Sequence, residues 1–206
     1  MGVKIKICGI TNADDALAAA SAGADLLGFI FYEGSPRFLS FKLAREIILR
    51  LPPSLSKVGV FVNAPEDLVR RAIEECGIDT LQFHGDESPA FCQKFGRKSI
   101  KAFRIKNFIS LNQLAAYKTD AWLFDSYAPG KAGGTGAQFN WQLAREAAQL
   151  GGRIILAGGL RPENVRQAVR QVRPFAVDVC SGVESEPGRK DLNKVRQFIQ
   201  AVRDQQ

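Results

Sequence analysis

Four groups of residues in this 206-residue chain have types suited to chemistry: a thiol at Cys8, a carboxyl group at Asp125, and two glycine-rich stretches at residues 156–164 (LAGGLRPEN) and 178–191 (DVCSGVESEPGRKD). A thiolate serves as a base or nucleophile, and a carboxyl group serves as a general acid or base. Backbone N–H groups at glycine-rich turns hold phosphate oxygens, because glycine lets the main chain come close to an anion. Gly158, Gly159, Ser181 and Gly182 fit such a cradle, although two plain tight turns would also use glycine. Arg37, in EGSPRFLS, offers a planar guanidinium able to grip a carboxylate through two parallel bonds, or is an ordinary loop arginine. His84, in LQFHGDE, is the one histidine and reads equally as a structural group or a site group. The stretch 130–141 (GKAGGTGAQFNW), with Gly133, Gly134, Thr135 and Gly136, suits a lid over a ligand or a simple connection. No Ser-His-Asp triad can be argued from the one histidine in FHGD, and no residues have metal-ligand spacing, so neither metal nor cofactor is expected. A thiol, a carboxyl group, an arginine and a phosphate cradle suit proton transfer on a small phosphorylated sugar.

Elements must bring these groups together. In KIKICGITNADDA (residues 4–16) alternation sets Lys4, Lys6 and Cys8 on one face and Ile5 and Ile7 on the other. Thr11 with Asp14 reads as the following helix start. Cys8 therefore stands at the carboxyl end of a strand, as a base or merely as a small core residue. Asp125 is in phase with Ala121 and Leu123 and opposite in facing to Trp122 and Phe124. It points to the mouth of the fold or caps the next loop.

Short apolar, β-branched runs at residues 4–10, 26–32, 57–63, 80–85, 99–105, 121–127, 153–159 and 175–182 predict eight strands. Helical patterns fill most gaps: Leu43/Ile47/Leu51, Leu68/Ala72/Cys76 after Pro65, Val165/Ala168/Val169/Val172 after Pro162, and Leu192/Val195/Ile199/Val202 after Asp191. A short fifth helix is expected around residues 111–117. Strands alternating with helices must run parallel, which predicts a single (β/α)8 TIM barrel over residues 1–206 with its chemistry at the strands' carboxyl ends. An open doubly wound sheet is the alternative, but CGITNA is not the GxGxxG turn that architecture would use.

The formal charge of +7 comes from 28 basic residues dispersed along the chain. That dispersal fits solvated helix faces and not a nucleic-acid stripe. Apolar runs such as LLGFIF are too short to span a bilayer, and no export signal begins the chain. Four cysteines without a CxxC pair fit free thiols in a reducing cytoplasm. Monomer and homodimer both remain open.

Together the motifs KICGIT (6–11), GFIFYEGSPR (28–37), VGVFVN (58–63), LQFHGDE (81–87), FDS (124–126), GGTG (133–136), LAGGLRPENV (156–165) and RPFAVDVCSGVESEPGRKD (173–191) resemble the phosphoribosylanthranilate isomerase family of tryptophan biosynthesis. The resemblance runs along essentially the whole chain, with little in residues 92–118. It departs at Cys180, where the family often has serine. It implies a cofactor-free Amadori rearrangement of N-(5'-phosphoribosyl)anthranilate, with Cys8 as general base and Asp125 as general acid. Arg37 then matches the clamp on the anthranilate carboxylate, the glycine-rich ends match the phosphate site, and His84 and Asp178 line the pocket. For Asp125 to act as an acid, Phe124 and the substrate phosphate are expected to keep its proton on. A related sugar isomerase of histidine biosynthesis fits less well, because Cys8 stands where that enzyme has a carboxylate base. A binding module without turnover would have no use for Cys8 and Asp125 together.

Overall fold

A computed structural model describes residues 2–104, 114–125, 137–149 and 151–205. Eight strands close into a barrel in chain order: β1 (Lys4–Ile7), β2 (Leu26–Ile30), β3 (Ser56–Phe61), β4 (Thr80–Phe83), β5 (Lys98–Arg104), β6 (Ala121–Asp125), β7 (Ile154–Ala157) and β8 (Ala176–Val179). Every neighbouring pair is parallel, including β8 against β1. The helices among the described residues are α1 (Ala13–Ala22), α2 (Phe41–Ile48), α3 (Glu66–Cys76), α4 (Pro89–Cys92), α5 (Ala137–Gln149), α6 (Pro162–Val172) and α7 (Leu192–Arg203). Of the helix expected around residues 111–117, residues 111–113 lie outside them, and Leu114 and Ala115 are helical.

The period-two alternation divides the core in two. Val58, Ile100, Ala102, Ala121, Leu123, Ile155, Ala157 and Ala176 form a separate cluster inside the barrel. Ile5, Ile7, Trp122 and Phe124 belong to the larger cluster between barrel and helices. Both phase assignments made for β1 and β6 therefore hold. The strands end a few residues earlier than the apolar runs, because the last residues of each run turn into the loops that carry the site.

Two local expectations need correction. The α1 cap is Asn12, whose side chain accepts the Asp15 N–H at 2.8 Å, one residue beyond Thr11. The Thr11 hydroxyl instead donates to the Gly188 carbonyl across the barrel seam. In α2 the inward face is Ala44, Ile47 and Ile48, while Leu43 is exposed. Leu51 lies beyond the helix end yet is still buried.

Candidate active site

The seam between β1 and β8 brings the first and last strands into register, with Lys6 opposite Asp178 and Ile7 opposite Val179. The Lys6 ammonium lies 3.0 Å from Asp178 Oδ1, and both side chains are buried. The Cys8 N–H continues the seam by donating to the Val179 carbonyl at 2.8 Å. Continuing the register one step sets Cys8 beside Cys180. A Cβ on Gly28 of β2 would come within 2.7 Å of Cys8 Sγ and 3.0 Å of Lys6 Nζ. Glycine there leaves room for a sulfur and an ammonium on the same inward face.

These contacts set the protons. The Cys8 thiol is held well below its ordinary 9.0, first by hydrogen bonding from Cys180 and then by Lys6 and Lys190, against the opposing effect of burial. Cys180 moves the other way, raised by its bond to Cys8 and by burial. The pair therefore favours ionisation at Cys8 over Cys180. Burial works against the Lys6 ammonium, but Asp178 and Cys8 raise its pKa overall. Asp178 is pushed up to about 6 by burial and by the negative charges of Cys8 and Asp125, with Lys6 opposing. Asp178 thus feels Cys8 and Asp125 from one position at the mouth. Elsewhere Cys76 and Cys92 are pushed up to about 11 by burial, so they are structural thiols.

After β8 the chain makes a 3₁₀ turn (Ser181–Val183) and a hairpin of β9 (Glu184–Glu186) and β10 (Arg189–Lys190). Glu184 accepts from Arg37 Nε at 2.8 Å, from Arg37 Nη2 at 2.5 Å and from Lys190 Nζ at 2.9 Å. Burial opposes its charge, yet Arg37 and Lys190 hold its carboxyl down to about 2. Lys190 Nζ also approaches the Cys180 carbonyl at 3.3 Å, while its backbone N–H donates to Asp15 at 2.8 Å. Arg37 is therefore at the mouth, as its sequence position suggested, but one edge of its guanidinium is occupied by Glu184. Glu184 and Lys190 lie within a motif that was legible, yet nothing local in the sequence signals that they face Arg37 and Cys180.

Across the mouth, His84 Nε2 lies 3.3 Å from Asp125 Oδ2, and both side chains are about one-fifth exposed. The Gln82 side-chain amide reaches His84 Nδ1 at 3.1 Å. The loop after β4 is fixed from below by a buried ion pair, Lys101 Nζ to Glu87 Oε2 at 2.9 Å. Glu87 also accepts the backbone N–H groups of Asn63 at 2.8 Å and Gly85 at 3.0 Å. The His84 N–H meets the Phe61 carbonyl at 2.8 Å.

The two glycine-rich ends touch. A Cβ on Gly182 would overlap the Leu160 carbonyl oxygen, whereas one on Gly159 would meet nothing within 4 Å. Gly158 and Gly159 are left-handed at φ 77° and 65°, a conformation that favours glycine. Asn164, in the first turn of α6, braces this bend by donating to the Gly159 carbonyl and accepting the Arg161 N–H, each at 2.9 Å. Ser181 opens the 3₁₀ turn beside it. The expected lid residues Gly133, Gly134, Thr135 and Gly136 lie outside the described residues, as does Ser126.

A cavity of about 490 Å³ opens at the other end of the barrel, among Lys4, Asp25, Ser56, Thr80, Asp120 and Arg153. Its polar groups include Lys4 paired with Asp25 at 2.8 Å and Ser56 bonded to Thr80 at 3.0 Å, and no thiol lines it. The acid–base groups are gathered at the carboxyl ends instead. Among the described residues no cluster of His, Cys, Asp and Glu is arranged to hold a metal, and no helix is long and apolar enough to cross a membrane.

Residues 5–201 match the family model of N-(5'-phosphoribosyl)anthranilate (PRA) isomerase. The N-(5'-phosphoribosyl)anthranilate isomerase of Trichlorobacter lovleyi is 50% identical over 98% of this chain and 98% of its own length. The crystal structure of phosphoribosyl anthranilate isomerase from Thermotoga maritima superposes with a TM-score of 0.91 at 40% identity, covering 98% of this chain and 99% of that one. A further such isomerase, solved in complex with reduced 1-(o-carboxyphenylamino)-1-deoxyribulose 5-phosphate, has a TM-score of 0.87 at 37% identity over 98% of this chain and 99% of its own. By sequence and by fold, the chain belongs to the N-(5'-phosphoribosyl)anthranilate isomerase family, whose reaction is a step of tryptophan biosynthesis.

Proposed function

We propose that the chain converts N-(5'-phosphoribosyl)anthranilate to 1-(2-carboxyphenylamino)-1-deoxyribulose 5-phosphate by an Amadori rearrangement, using only its own acid and base. Asp125 gives a proton to the furanose oxygen, the C1–O bond breaks with its electrons going to that oxygen, and the amine nitrogen supplies the pair that forms the C1=N bond. Cys8 then removes the proton from C2, and those electrons neutralise the iminium to give an enolamine. Proton return to C1 and loss of the enol proton yield the 2-ketose. The reaction is an internal aldose-to-ketose redox change, so the atoms balance without an outside oxidant.

The observation that carries this reading is the charge arrangement at the β1–β8 seam. A cysteine that takes a proton from carbon must do so as a thiolate, and Cys8 has Cys180, Lys6 and Lys190 to favour that form. Gly158, Gly159, Ser181 and Gly182 are assigned to the substrate phosphate, through backbone N–H groups at the two glycine-rich turns. Arg37 is assigned to the anthranilate carboxylate through the guanidinium edge that Glu184 leaves unused. His84 and Asp178 line the pocket. The bound reduced ribulose phosphate of the related isomerase has the chemistry these assignments call for.

Purified protein should consume phosphoribosylanthranilate, read as loss of its anthranilate-type fluorescence, with neither metal nor nucleotide added. Cys8→Ala and Asp125→Asn should each lower turnover by about 10²–10⁴-fold. Near-normal turnover by either variant would refute the assigned role.

A further inference from the structure

Gln82 is an unusual residue to find inside the barrel. It is 1% exposed, and it lies two residues before His84, so both side chains share one face of the chain. Its amide nitrogen is directed at His84 Nδ1, 3.1 Å away, while its amide oxygen is the one buried side-chain polar atom without a partner among the described residues. An orphaned acceptor in a core costs free energy, so the position of the donor has to matter.

The chemistry of a neutral imidazole explains why. One ring nitrogen carries the proton and the other offers a lone pair. Asp125 Oδ2 lies 3.3 Å from Nε2, and an ionised carboxylate there calls for an N–H. Nδ1 must then accept, and the group facing it must donate. An amide turned end over end would oppose its oxygen to Nδ1 and demand the proton on that nitrogen instead. An amide nitrogen facing Nδ1 and a carboxylate facing Nε2 therefore call for the same tautomer from opposite sides of the ring.

We propose that Gln82 is a positioning residue that keeps the His84 proton on Nε2, where it donates to Asp125. The inference rests on Asp125 acting as the general acid. Once Asp125 has released its proton, the new carboxylate is met by a donor already aimed at it, so stabilisation grows along with the charge. His84 needs no proton of its own to transfer, and the frame of Glu87, Lys101 and Phe61 holds its backbone still. Gln82 thus supports catalysis without touching the substrate.

The single histidine makes the test unambiguous. Long-range ¹H–¹⁵N correlation on ¹⁵N-labelled protein reads the protonation of each His84 nitrogen. The parent should show a protonated Nε2 and an unprotonated Nδ1 while the ring is neutral. Gln82→Leu should lose this preference and lower kcat by about tenfold while KM changes little. Gln82→Glu, read at a pH where the new carboxyl is ionised and presents only acceptors, should move a proton onto Nδ1. A parent ring with its proton on Nδ1, or Gln82→Leu protein with unchanged kcat, overturns the proposal. If Gln82→Leu does not fold, the parent and Gln82→Glu spectra decide. The spectra need no turnover, so an error in assigning Asp125 as the acid would show in Asp125→Asn activity and leave the tautomer result standing.

Discussion

Replacing Cys180 by alanine tests the thiolate account most directly, because the Cys180 thiol is the first influence holding the Cys8 proton off. A hydrogen bond to a charged group is worth about 1.5–3 kcal/mol, and a thiol is a weak donor, so about 1.5 kcal/mol is the figure to expect. At 1.36 kcal/mol per unit, this is about one pKa unit. Cys180→Ala should therefore raise the Cys8 titration by about one unit. Cys180→Ser keeps an O–H donor at the same point and should stay near the parent. The ultraviolet absorbance of the thiolate, followed against pH and corrected with a Cys8→Ser protein, reads this without any reagent entering the site. Cys76 and Cys92, pushed up to about 11, remain silent through neutral pH. The acid limb of kcat/KM should move by the same amount and in the same direction. Equal titrations in parent and Cys180→Ala, or a serine variant that behaves like alanine, would refute the reasoning. The fold is at little risk, because Cys180 sits at the mouth and both replacements are no larger than cysteine.

Other perturbations address the remaining charges and glycines. Lys6→Met leaves Asp178 and the Cys8 thiolate without their buried cation and should cost about 3–5 kcal/mol of stability in denaturant unfolding, together with an upward shift of the Cys8 titration. Glu184, whose carboxyl falls from 4.5 to about 2 on folding, binds fewer protons in the folded state than in the unfolded state. Its stabilising contribution is thus complete above about 4.5 and lost as pH falls towards about 2. Thermal melting across that window should decline more steeply in the parent than in Glu184→Gln. Gly182→Ala forces a methyl group against the Leu160 carbonyl and should cost about 1–3 kcal/mol while weakening competitive inhibition by inorganic phosphate. Gly159→Ala meets no atom but must hold φ near 65°, and should cost only about 1 kcal/mol in the same unfolding assay.

Much of the architecture was legible because a closed parallel barrel repeats one local pattern. Each strand declares itself by a short β-branched run, and alternation alone set Ile5 and Ile7 opposite Cys8 and set Trp122 and Phe124 opposite Asp125, the faces that pack on the helices. Cys8 and Asp125 stood out at the ends of apolar runs, where each had a structural reading too, and it was the family resemblance that marked them as base and acid. Partners were harder to see, since they are joined by barrel closure and not by spacing. Lys6 and Asp178 lie 172 residues apart in sequence, and Arg37 and Glu184 lie 147 apart. Nothing near Arg37 announces that a glutamate will occupy one of its edges. Gln82 was passed over because a glutamine in a strand carries no pattern, and its meaning comes from the ring of His84. The misplaced α1 cap had a similar cause: the Thr11 hydroxyl is claimed by the Gly188 carbonyl, a partner from the far end of the chain.

The closing seam also has a consequence in time. Cys8 precedes Asp178, Cys180, Glu184 and Lys190 by about 170 residues or more. Before those residues are brought to β1, the Cys8 sulfhydryl is without Cys180 and Lys190, two of the groups that draw its proton away. The anion at Cys8 is therefore a property of the closed barrel, created by the meeting of two distant stretches of chain and not by either one alone.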